Sequence, residues 1–400
     1  MKKALIICYL LSVICYLLSG CAGMLENEYE FVAPHADTSP ESVSDSGGLR
    51  AANYSELKNA ILRLVRSGAA SGVIRLHNYS GNADDDTQTA CRSVLIEEPI
   101  GAYALDFLNY EIVPLLVDYD VNLSLLRRRT VSELRSVKSV SGPSEFRERF
   151  DALLTEYGTQ MTVETNFYQE SSYDLSAMLS DLYDSRPIAA QGRPIVVGAL
   201  YPEKGLRRVI ELTLNYPGTT SVMLTRRDRC QKEVEDLSLS DGDYPPLRAL
   251  ELYDILAARC EFDTELYAEY RAAAAEGREI QSTTYDALVR GKALPEGYAL
   301  AYKAFCDYAG INCYVVRGRR GVDEHVWNLI ELDGDWYHVD LGWDMLDGEA
   351  DHSGFLLNDE AMTEDYRWDT AKFPAAAGEL TLEGLTREAE NPASATETGL

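Results

Sequence analysis

The stretch DEHVWNLIELDGDWYHVDLGWDM, Asp323 to Met345, constrains the fold more than any other part of the chain. Two runs of alternating apolar and polar residues flank Asp333-Gly334. A two-residue hairpin loop of type I′ wants positive φ at both positions, and Asp-Gly is among the pairs that tolerate it best. With such a loop Leu332 faces Asp335, Trp327 faces Asp340 and His325 faces Gly342. Asp340 is then the diagonal neighbour of His325 on one face, within reach for side-chain contact. That face also carries Trp327, Trp336 and His338, while Val326, Ile330, Leu332, Tyr337, Val339 and Leu341 share the other. One face is predicted to be core, and the other can hold a site.

A carboxylate beside an imidazole fixes its tautomer and stabilises the imidazolium, which is the orienting half of a nucleophilic triad. A lone histidine near a strand end is more often a satisfied structural group. The site reading gains here because ALPEGYALAYKAF, Ala293 to Phe305, lies directly upstream. It starts an amphipathic helix whose apolar stripe, Tyr298, Ala301, Tyr302, Phe305, Tyr308 and Ala309, is predicted to pack on the sheet.

Three stretches together, STTYDALVRGKALPEGYALAYKAFCDYAGINCYVVRG, EHVWNLIELDGDWYHVDLGWDM and FLLNDEAMTEDYRWD, resemble the bacterial transglutaminase-like domain of the papain-like cysteine-hydrolase superfamily. The resemblance runs from about Leu247 to Phe373 and implies a helix packed on an antiparallel sheet. It also implies a catalytic Cys at the helix start, two residues before the Gly of Glu-Gly-Tyr-Ala, with His and Asp on adjacent strands. His325 and Asp340 fall on the family His and Asp, but the Cys position is Pro295. A second departure is Leu341-Gly342-Trp343, where the family usually has a β-branched residue, Thr and Trp. Proline suits the first turn of a helix, whose N–H groups have no intrahelical partner. The family instead uses that end to activate a thiolate through the helix dipole and a neighbouring imidazolium. Cys306 is eleven positions further along, about 16 Å at 1.5 Å per residue, and cannot substitute. Cys260 on the preceding helix and the Ser282-Thr283-Thr284 loop stay open as displaced nucleophiles.

The N-terminus carries Lys2 and Lys3, an apolar run from Ala4 to Leu18, and Leu-Ser-Gly-Cys ending at Cys21. Residues 1–20 read as a signal segment, too short for an ordinary membrane span. The ending resembles the bacterial lipobox, which implies lipidation of Cys21; plain secretion with Cys21 as a bystander is the alternative. Residues 21–52, rich in Ser, Asp, Pro and Gly between Glu26 and Ala52, read as a flexible tether. The net charge of −28 argues against nucleic acid and against adsorption to anionic lipid. The five remaining cysteines lack metal spacing, and the five histidines are scattered, so neither a metal nor a cofactor is expected.

Between tether and helix-rich end, SELKNAILRLVRSGAASGVIRLHNY (Ser55 to Tyr79) aligns without gaps on SEFRERFDALLTEYGTQMTVETNFY (Ser144 to Tyr168). A second pairing sets the stretch from Val113 beside that from Ile210. These predict two α+β units, 53–140 and 141–240, before the transglutaminase-like domain at 245–375. Residues 376–400, acidic and without aromatics, read as a disordered tail, with a short helix as the rival.

The fold class expected is therefore α+β. The function expected is a membrane-anchored extracytoplasmic lipoprotein whose degenerate transglutaminase-like domain binds envelope peptide, protein or glycan in a cleft lined by Tyr298, Trp327 and Trp336. An active cysteine-type hydrolase or acyltransferase using a displaced thiol with His325 and Asp340 is the alternative.

Overall fold

A computed structural model describes residues 48–242, 244–348 and 350–390. The expected signal segment, Cys21 and most of the tether lie outside the described residues. The architecture is α+β, with helices packed on antiparallel and mixed sheets. The described residues from Leu49 to Glu390 form one compact unit.

The first sheet holds β1 (Leu49–Ala51), β2 (Ser71–Leu76), β3 (Leu105–Pro114) and β4 (Tyr119–Arg127) in the order β1-β2-β4-β3. Helices α1 (Tyr54–Ser67), α2 (Ala83–Ile96) and α3 (Pro99–Ala104) accompany it, followed by α4 (Val131–Ser136). Asn53 caps α1 by accepting from Glu56 N–H, while the Glu56 carboxylate accepts from Ala52 N–H. Because β1 pairs in parallel with β2 and buries Ala51, the tether reading is corrected at Leu49–Ala51.

The second sheet has the same order with β5 (Lys138–Val140), β6 (Gln160–Thr165), β7 (Ile195–Tyr201) and β8 (Arg208–Asn215). Its helices are α5 (Pro143–Thr155) and α6 (Leu175–Ser185), and α7 (Thr220–Glu235) follows. One shift of 89 positions (138 minus 49) carries β1 onto β5, the start of α1 onto that of α5 and β2 onto β6. The same shift carries the β2–β4 register onto that of β6 and β8: Ser71↔Ser124 becomes Gln160↔Thr213. The pairing of Val113 with Ile210 is corrected by this register. Val113 ends β3, and the residue matching Ile210 is Val121 in β4.

The C-terminal part begins with α8 (Pro245–Arg259), the short strand β9 (Glu261–Phe262), α9 (Thr264–Ala275) and β10 (Lys292–Ala293). The helix α10 (Pro295–Ala309) then lies against a five-stranded sheet ordered β14-β13-β12-β11-β15. Those strands are β11 (Cys313–Arg320), β12 (Asp323–Leu332), β13 (Asp335–Val339), β14 (Phe355–Leu357) and β15 (Tyr366–Trp368). Asp333 and Gly334 both take positive φ, and Leu332 faces Asp335 as the two-residue loop requires. Tyr298, Tyr302 and Phe305 of α10 join Ile330, Tyr337 and Val339 in the main core. The tail reading is corrected over residues 376–390: Ala376 is buried, and the terminal helix Leu382–Glu390 buries Leu385 completely.

Candidate functional site

Helix α10 starts at Pro295 with Leu294 as its cap residue, and no side chain of the cap satisfies the first turn. Two close approaches fix that start. The buried Ser282 hydroxyl accepts Leu294 N–H at 3.0 Å, and a Cβ on Gly297 would fall 2.5 Å from it. On another side, a Cβ on Gly342 would fall 2.7 Å from Pro295 Cα and 3.0 Å from its Cβ. Pro295 and Gly342, the two positions read in the sequence as departures from the expected pattern, therefore touch. A threonine at 342 has no room where the helix start comes this near.

The hairpin brings His325 and Asp340 together: His325 Nε2 is 2.6 Å from Asp340 Oδ2, with both residues buried. Asp340 Oδ2 also accepts from the Tyr366 hydroxyl at 2.7 Å, and Oδ1 accepts Trp343 N–H at 3.1 Å. Three donors thus surround one carboxylate, an arrangement that holds the ring in a fixed orientation. Burial, then the Asp340 charge, pushes the Tyr366 hydroxyl well above its ordinary value, so it stays a donor. Among the described residues no hydrogen bond engages His325 Nδ1.

His338, on the same face, is bound differently. Its Nδ1 accepts from the Trp327 indole at 3.0 Å, which leaves Nε2–H to meet Asp359 Oδ1 at 2.9 Å. Burial holds this imidazole below its ordinary range, against the raising effect of Asp359. It is the satisfied structural histidine of the pair.

The aromatics expected to line a cleft are not gathered there. Tyr298 is buried, its hydroxyl donating to Cys260 O at 2.7 Å within the main core. Trp327 is buried in a second core with Leu329, Met362 and Tyr366. Trp336 stacks on Tyr314. The face read as free for a site is itself packed, because Met362, Tyr366, Trp368 and Ala376 gather on Trp327 and Leu329 there.

The groups nearest the dyad are others. Trp343, 37 % exposed, forms an edge contact with the His325 ring. The Arg320 guanidinium lies 3.2 Å over the Trp343 ring and 5.0 Å from that of Tyr366, with its Nε and Nη1 buried and unpartnered. Helix α9 flanks the start of β12: Tyr267 and Tyr270 stack, and the Tyr270 hydroxyl donates to Glu324 O at 3.4 Å. The sequence signal for Trp343 was its place just beyond Asp340. Arg320 and the α9 tyrosines carried none, since only the fold brings them near.

The five described cysteines are buried and free. Burial pushes the Cys260 thiol up to about 12. The Cys306 thiol is also held well above its usual range, again by burial. The Thr283 and Thr284 hydroxyls donate to Asp286 and to Pro187 O. None of these groups hydrogen-bonds to His325.

No protein-family model matches the chain. It is similar to Lim and transglutaminase domain protein ltd-1 of Caenorhabditis elegans, 35% identical over 78 residues, 16% of this chain and 11% of that protein. It is also similar to kyphoscoliosis peptidase of Homo sapiens, 30% identical over 108 residues, 23% of this chain and 16% of that protein. The chain thus spans less than a fifth of either relative's length. Among solved structures, a crystal structure of a TGase matches with a TM-score of 0.25 and 12% identity, covering 63% of this chain and 64% of that one. A putative cysteine protease from Cytophaga hutchinsonii matches with a TM-score of 0.22 and 10% identity, covering 37% and 62%. The curated similarities, with the motifs in order, mark a transglutaminase-like domain in an α+β chain.

Proposed function

We propose that the chain is a lipid-anchored extracytoplasmic protein whose transglutaminase-like domain binds envelope peptide, protein or glycan without acyl-enzyme chemistry. One observation carries this reading: the helix start packed beside the dyad loop is Pro295, while every described thiol is buried and none hydrogen-bonds to His325. A thiolate at a helix N-terminus is stabilised by the dipole and by a paired imidazolium; proline keeps the helix start and offers no nucleophile. Asp340 with its three donors then serves as a structural clamp. Binding falls to the rim of Trp343, Tyr267 and Tyr270, with envelope polymer as the partner class.

The test is thiol-directed activity labelling mapped to the peptide. The natural chain is expected to show no His325-dependent labelling. Pro295→Cys is expected to gain it, with a rate that falls at least about ten-fold when His325→Ala is added, the low end of what a general base contributes. Labelling of the natural chain that disappears in His325→Ala would establish a displaced nucleophile instead. Acyl labelling lost in Cys21→Ala checks the anchor separately.

A further inference from the structure

The hairpin joining β3 to β4 turns through Leu115, Leu116, Val117 and Asp118, closed by Leu115 N–H donating to Asp118 O at 2.8 Å. Tight turns are normally built from Gly, Pro, Asn, Asp or Ser, each for a conformational or hydrogen-bonding reason. Here three consecutive aliphatic residues stand 42%, 101% and 80% exposed, contributing nothing to the core of the sheet beneath them. Exposed apolar groups in an unbroken run mark a surface that meets something apolar.

Position in the sheet narrows what that is. Pro114 pairs with Tyr119, Tyr119 with Leu76 and Leu76 with Ala51, so one row of the sheet runs from the base of the hairpin to β1. Strand β1 begins at Leu49, two residues back along the strand, about 7 Å at 3.3 Å per residue. Strand β1 thus runs toward the row at the base of the hairpin, and its C-terminal end and the aliphatic tip lie on the same end of the sheet. Beside the tip Asp120 is paired with Arg75 at 2.9 Å, which mutes the chain's acidity there, and Asp118 is hydrogen-bonded to the His77 ring at 3.0 Å. Tyr119, 42% exposed, sits at the base, where an amphipathic ring suits a membrane–water interface. Three convex side chains are far fewer than the 20–30 residues a side of a stable protein interface, yet they suit shallow insertion into a lipid surface.

We propose that Leu115, Leu116 and Val117 insert into the surface of the bilayer to which the chain is tethered, seating the first sheet end-on against the membrane. This rests on the anchored reading above. Lipid insertion by one small apolar element is weak and reversible, and becomes stable when a second attachment is present. The tip supplies orientation and the acyl anchor supplies retention.

The experiment uses the chain from residue 21 made without its first 20 residues, hence unacylated, and flotation with phosphatidylcholine vesicles. Weak flotation is expected, reduced at least ten-fold in Leu115→Ser/Leu116→Ser/Val117→Ser and unchanged in Val322→Ser, which removes an equally exposed valine elsewhere. Raising the salt should leave it unchanged, since the attraction is apolar. Equal flotation of the triple variant, or none by the parent, overturns the proposal. So does binding to native membranes that requires their proteins. Because the protein tested carries no lipid, these results do not depend on acylation of Cys21; absence of acyl labelling in the full parent chain would instead refute the anchor.

Discussion

At Gly342 the absence of a side chain is what allows the helix start to sit against the dyad loop. A Cβ there meets main chain rather than the flexible end of a side chain, so the neighbour cannot simply rotate away. Gly342→Ala is expected to cost about 1–3 kcal/mol, the range for overpacking a buried contact, seen as a fall in denaturation midpoint. An unchanged midpoint would mean that the helix start yields at no cost. His338 gives a pH-dependent prediction. Its folded pKa lies below the unfolded value of about 6.5, so its contribution is fully present above that pH and is lost as pH falls toward the folded value. Stability should decline on acidification below about pH 6.5, and His338→Gln should flatten that part of the profile. If parent and variant keep parallel profiles, another group is responsible. Both histidines were visible in the sequence, and the hairpin register put Asp340 beside the correct one. What the sequence could not separate was a histidine with one ring nitrogen engaged from one with both. That difference depends on Asp359, twenty-one positions away in the chain.

Among elements, the β12–β13 hairpin was legible because turn chemistry and alternation pointed to the same register. The terminal helix was not, since LEGLTREAE shows few apolar residues, of which, among the described side chains, Leu385 alone is fully buried. A single apolar anchor is too little signal to separate a docked helix from a polar tail. Its weight is testable: Leu385→Ala should destabilise the chain by about 2–5 kcal/mol, as truncating a fully buried leucine does. Denaturant midpoints read this, and a change below about 0.5 kcal/mol, the surface range, would show the helix to be loosely attached. The repeat was half legible for a similar reason. In the first half, matched helix positions Leu57 and Phe146, and Ile61 and Phe150, are all fully buried, so pattern alone aligned them. In the second half β3 and β7 differ by a bulge between Leu105 and Phe107, and a pairing sought by residue type slid off register.

On the scale of the molecule, the shift of 89 positions compares two sheets whose outward faces meet different surroundings. In the second, Val209 is fully buried among Tyr103 and the core of the first unit, with Arg129–Glu211 and Arg207–Glu98 ion pairs around it. The matching residue of the first sheet is Asp120, half-buried in a cross-strand pair with Arg75. Tandem repeats stack apolar faces internally and present a polar face at the free end. The contact continues toward the C-terminal domain, where Asp184 of α6 and Glu296 of α10 share Arg317. Val209→Asp places the free-end residue inside the stack, where an unpaired carboxylate costs several kcal/mol. All four tryptophans lie between Trp327 and Trp368, so indole fluorescence reports the C-terminal domain while far-ultraviolet circular dichroism reports the whole chain. In the parent the two signals should change together on denaturation, as coupled units do. In Val209→Asp the dichroism should fall first and the fluorescence later, with Asp120→Ala leaving the signals together. Coincident transitions in Val209→Asp would mean that the apolar contact at Val209 is not what couples the first unit to the rest.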